Sequence, residues 1–97
     1  MSSYDPYLPL IEEQWHHIIM VYETFRDKKP IIVYDVTDKK IYSYPAKQYI
    51  NTLSLRTRKQ ARKQYQEAVR NDQFMLFIKD SKNQKLRSYI LNLPPRS

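Results

Sequence analysis

Glycine is absent from this 97-residue chain, and so is cysteine. Without glycine there is no dinucleotide-binding turn, no phosphate-cradling P-loop and no Gly-x-x-Gly nucleic-acid clamp. The glycine-spaced aromatic signature of RNA-recognition sheets is excluded too. Backbone positions with positive φ must fall to Asn or Asp, or be avoided. Without cysteine there is no disulfide framework, no thiolate chemistry and no Cys-based zinc site, which fits a reducing cytosol. No apolar run approaches the roughly 18 residues that span a bilayer. The opening MSSYDPYLPLIEE is acidic and lacks the basic start of a secretory signal. The expectation is one cytoplasmic domain over residues 1–97, with no membrane partner.

What the chain does have is positive charge, unevenly placed. Residues 1–45 hold five cationic and seven acidic side chains, whereas residues 46–97 hold twelve and three. The net charge is +7 at neutral pH. Between Ser54 and Asn71 there are six cations and one acid, Glu67. At about 100° per residue, Arg56, Lys59, Arg62, Lys63 and Arg70 fall within one third of a helix circumference. Ala61, Tyr65 and Ala68 fall opposite. That segment reads as a helix with a thin apolar face and a broad cationic one. Such a stripe either meets a polyanion or faces water.

Residues 1–9, with two prolines and two tyrosines, read as an extended arm, and residues 94–97 as a short tail. Residues 10–27 predict a first helix. Ile11, Trp15, Ile18, Tyr22 and Phe25 repeat at four and three residues, with Ile19 beside them. Glu12 and Glu13 suit its first turn, Lys28 and Lys29 follow its last, and Pro30 stops it. This stripe is read as the main contribution to the core. Residues 31–36 and 41–44 predict two strands around a turn, and residues 74–79 and 86–93 a second such pair. Residues 46–53 are ambiguous. The second helix starts at Ser54 or Thr57, where Thr57 and Gln60 fit a capping box. It ends near Asn71, a candidate left-handed cap.

The fold class is therefore α+β with the order helix-hairpin-helix-hairpin (αββαββ). The expected sheet is four-stranded and largely antiparallel, with the helices packed on it. Laying residues 31–44 over 76–89 keeps Asp35 with Asp80, Lys40 with Lys85, Ser43 with Ser88 and Tyr44 with Tyr89. The offset of 45 residues suits an internal αββ repeat, although hairpins also converge on such patterns.

Strand alternation assigns two sheet faces. Ile31, Val33, Ile41, Phe74, Leu76, Ile78, Leu86 and Ile90 form an aliphatic face for helix one. Ile32, Tyr34, Tyr42, Tyr44, Met75, Phe77, Lys79, Arg87, Tyr89 and Leu91 form an aromatic one with a few cations. Three coverings fit the second face: helix two, a second copy of the chain, or unpaired bases stacked on Tyr34, Tyr42, Tyr44, Phe77 and Tyr89.

No catalytic set stands out. His16 and His17 are adjacent on helix one and diverge by about 100°. With Glu12, Glu13 and Glu23 they make no convincing ligand set, so no metal and no cofactor are expected. Ser43 and Ser88 have no histidine in their hairpins. Asp35, Asp38, Asp72 and Asp80 read as turn and helix-end residues rather than a metal-dependent phosphodiesterase cluster. The expected function is a small non-catalytic binding protein that contacts nucleic-acid phosphates through Arg56, Lys59, Arg62, Lys63 and Arg70, with Lys79 and Arg87. The alternative is a protein-interaction module meeting an acidic protein surface, or forming a homodimer through the aromatic sheet face.

Overall fold

A computed structural model of the chain describes residues 5–24 and 29–93, apart from the side chain of Tyr22. Phe25, Asp27, Lys28 and the tail at 94–97 lie outside the described residues. The elements are α1 (Leu8–Glu12), α2 (Trp15–Thr24), β1 (Ile31–Asp35), β2 (Lys40–Tyr44), α3 (Ala46–Ile50), α4 (Leu55–Arg70), β3 (Gln73–Asp80) and β4 (Lys85–Asn92). The sheet order is β2-β1-β3-β4. β1 pairs with β2 and β3 with β4 antiparallel, while the central pair, β1 with β3, is parallel. The sheet is thus mixed, not largely antiparallel. The parallel pair arises because α3 and α4 form a crossover between the hairpins, which parallel neighbours require.

The described part of the expected N-terminal arm is not extended. Asp5 is buried, and a turn leads directly into α1. Pro9 sits in the first turn of α1, where a missing N–H costs nothing. The first helix is also broken in two. The Gln14 N–H donates to the Ile11 carbonyl at 2.9 Å, a tight turn between α1 and α2. Ile11 and Ile18, seven residues apart and both fully buried, keep one face across that break. Trp15 is only half-buried, with its ring edge-on to Phe74 at 5.9 Å and 87°. Among the described residues the largest fully buried side chains are Phe74 and Phe77, both on β3.

The register fixes the faces. Ile32 lies beside Leu76, and Tyr34 beside Ile78 and Ile41. Phe74, Leu76 and Ile78 share their face with Leu91, Tyr89 and Arg87. That face packs on α1 and α2 through Ile11 and Ile18. The opposite face carries Ile31, Val33, Met75 and Phe77 and is covered by Ala46 and Ile50 of α3 and Ala61 of α4. Both faces are therefore packed against helices of the chain itself, although Tyr44 and Leu86 on the second face stay exposed. Each strand of the expected face assignment was shifted relative to its neighbours. Ile31 and Val33 lie opposite Phe74, and Leu86 and Ile90 lie with Met75 and Phe77.

Helix α4 has sixteen residues, about 24 Å of rod. Its N-cap is Ser54, whose Oγ accepts from the Thr57 N–H at 3.3 Å and donates to Thr57 Oγ1 at 2.9 Å. The expected Thr57–Gln60 capping box is therefore displaced by one turn. Ser54→Ala is expected to cost about 1 kcal/mol, read as a lowered urea midpoint with an unchanged slope. At the other end, Asn71 is not left-handed (φ −98); Asp72 is (φ 54). Lys39 (φ 55) and Gln84 (φ 52) hold the equivalent conformation in the two hairpin turns. Two of the three left-handed positions among the described residues thus fall to residues other than Asn or Asp, each at about 1–2 kcal/mol.

Candidate polyanion-binding face

Ala61 and Ala68 are the buried residues of α4, which fixes its rotation. Arg56, Lys59, Arg62, Lys63 and Arg70 consequently face outward, and all five are exposed. Neither of the two ion pairs among the described residues involves them. Only Arg62 has a polar partner of its own, donating to Asn51 Oδ1 at 3.5 Å. The sixth cation, Arg58, has a different role. It is half-buried, and its guanidinium donates to the carbonyls of Asn51 (2.9 Å) and Leu53 (3.1 Å). It therefore satisfies the chain between α3 and α4 and sets the angle of the stripe. Its position outside the one-third arc that holds the other five was the available signal.

The first turn of α4 contains no acid, and Arg56, Arg58 and Lys59 crowd its start. The helix dipole places positive potential there, so each cation is locally unfavourable by roughly 0.3–1 kcal/mol. Glu67 is the only acid on the helix.

The two outlying cations part company. Lys79 is exposed, on the same sheet face as Phe77 and opposite Leu86 across the strand pair. Arg87 is on the other face, where its Nε–H donates to Asp5 Oδ2 at 2.7 Å. The Tyr89 hydroxyl donates to the same oxygen at 2.8 Å, and the Tyr7 N–H to Oδ1 at 3.0 Å. Burial pushes the Asp5 carboxyl up. The hydrogen bonds from Arg87, Tyr7 and Tyr89 and the charge of Arg87 outweigh it and hold the group below its ordinary value. Arg87 is thus engaged within the fold, which removes it from the set facing outward.

The five aromatic residues expected on one face are likewise divided. Tyr34 and Tyr89 lie on the α1/α2 side, where Tyr34 meets Tyr7 at 5.8 Å. Tyr42, Tyr44 and Phe77 lie on the other side, joined by Tyr49 of α3. Tyr44 stacks on Tyr49 at 5.1 Å and 22°, and Tyr49 meets Phe77 at 5.2 Å. Burial, then the neighbouring Tyr44, push the Tyr49 hydroxyl up to about 12. Tyr49 lay in the segment that periodicity left ambiguous. The five therefore do not form one continuous face: Tyr34 and Phe77 are buried, Tyr42 and Tyr89 are half-buried, and Tyr44 is exposed.

His16 and His17 are both exposed. His17 borders a cleft with Glu13, Tyr34, Lys39 and Lys40, in which the signs of charge are mixed. Among the described residues no group of three or more His, Asp or Glu could hold a metal ion. No described helix is long and apolar enough to cross a membrane. Comparison with protein-family models, with curated proteins and with solved structures finds no match to this chain.

Proposed function

We propose that this protein is a small, non-catalytic nucleic-acid-binding protein that holds phosphates along the outer face of α4. The observation that carries the reading is the exposure of Arg56, Lys59, Arg62, Lys63 and Arg70, with no carboxylate among the described residues paired to any of them. Charges spaced along about 21 Å match a repeating polyanion better than a single small ligand. The cations at the start of α4 add support, because a phosphate there would relieve their conflict with the helix dipole. Contacts of this kind position a backbone and do not read bases, so the binding is largely independent of sequence.

The reading makes a quantitative statement about salt. Five phosphate contacts give a log–log slope of roughly −3.5 for a single strand and −4.5 for a duplex. A fourfold rise in salt should then weaken binding by about 100-fold or more. Replacing Arg56, Lys59, Lys63 and Arg70 together by Gln should make that slope shallower by roughly 3. Fluorescence anisotropy of labelled oligonucleotides across a salt series measures both quantities. No binding at low salt, or an unchanged slope in the variant, would end the proposal. An acidic protein surface is the competing partner, since it would use the same cations. It is separated by whether a partner from the native cell survives nuclease treatment.

A further inference from the structure

Beside the stripe lies a groove between α3 and α4. Its walls are Lys47, Ile50 and Asn51 from α3 and its cap, and Arg62, Tyr65 and Gln66 from α4. Each helix contributes residues at i, i+3 and i+4, so each set faces the groove from one side. The floor is apolar. Ile50 is 3% exposed, and the Tyr65 hydroxyl is already committed to the Lys29 carbonyl at 2.7 Å. Tyr65 therefore offers the groove its ring. Lys47 and Arg62 stand exposed on the two rims, Asn51 and Gln66 add amide groups, and no acid lines the site. The cavity measures about 280 Å³, at the lower edge of the range for small-ligand pockets.

We infer that this groove seats one unpaired base of a single strand, with the adjoining phosphate held between Lys47 and Arg62. The inference rests on the phosphate-binding reading of α4 and specifies its ligand as single-stranded. The chemistry of the groove is that of a nucleotide unit. An apolar floor with the Tyr65 ring takes the face of any base, amides meet its polar edge, and paired cations take the anion. Arg62 belongs to both the groove and the stripe, so a strand lying along Lys59, Lys63 and Arg70 passes the groove mouth. A duplex keeps its bases stacked and paired and cannot fill the groove, although its phosphates can still reach the stripe. The occupant must be anionic as well as flat, because both rims are cationic.

The test uses the full chain, a labelled oligouridylate and a labelled RNA duplex. Lys47→Ala and Gln66→Ala replace exposed residues whose side chains have no hydrogen-bond or ion-pair partner among the described residues, so both variants should melt like the parent. Each should weaken oligouridylate binding about tenfold and leave duplex binding unchanged. An oligouridylate carrying one 4-thiouridine should cross-link to the tryptic peptide that contains Tyr65, and Lys47→Ala should reduce that yield. Equal losses for single strand and duplex, or no loss in either, would overturn the groove assignment while leaving the stripe intact. So would a loss for polyglutamate as large as that for oligouridylate, which would mark the groove as a site for acidic protein. Absence of binding to any of the nucleic acids at low salt would instead remove the reading of α4, and the groove assignment with it.

Discussion

Phe77→Ala is expected to destabilise the domain by about 3–5 kcal/mol. Phe77 is 2% exposed and lies between the sheet and the helical layer that carries the stripe. It touches Tyr49 at 5.2 Å, and its other neighbours in the cluster include Ala46 and Ala61. Alanines cannot move into the space a phenyl ring leaves, so the cavity stays open and its cost adds to the lost transfer energy. A domain of this size holds only about 5–15 kcal/mol in total. The variant should therefore unfold at far lower urea, and Phe77→Leu should recover most of the difference. Half-buried Trp15→Ala should cost less than Phe77→Ala. Urea titration followed by far-ultraviolet circular dichroism measures all three. A Phe77→Ala loss below 1 kcal/mol would mean that α3 and α4 are not seated on this strand.

Asp5→Ala is expected to cost about 2–3 kcal/mol, less than the roughly 3–5 of a fully buried pair. The discount reflects Arg87, whose side chain is 31% exposed where that of Asp5 is 2% exposed. Truncation strands the guanidinium, the Tyr89 hydroxyl and the Tyr7 N–H beside one another. The same contact predicts a pH dependence. Asp5 titrates below its ordinary 3.8 in the folded chain. The unfolded chain then binds more protons over that interval, so stability rises with pH there. The contribution is fully present above the unfolded value and disappears as pH falls through the folded one. Asp5→Asn should flatten the acid limb of the stability curve. An acid limb identical to the parent's would show that another carboxylate governs it.

These cases show which parts of the fold the sequence could disclose. The elements were legible where one periodicity dominated. α4 follows from its alternation of Ala61, Tyr65 and Ala68 with cations, and the strands follow from their β-branched and aromatic runs. The faces of the sheet were not legible. Residues 31–34 are all buried, so no polar side chain marks which way β1 is turned. The two hairpins also invited an antiparallel reading, because the parallel pair depends on a crossover that local pattern does not display. Arg87 looked like a surface cation because its partner Asp5 is 82 residues away. The stripe survived these errors, since its outward direction depends only on the helix and its two buried alanines.

The central position of β1 bears on how the chain is made. Its neighbour β3 begins some forty residues later, after the whole crossover. As the polypeptide leaves the ribosome, β1 and β2 can close on each other early. The opposite edge of β1 then stays open, its backbone N–H and C=O groups unpaired, until residues 73–80 have emerged. That interval of synthesis, rather than the finished domain, is when this sequence is most prone to aggregate.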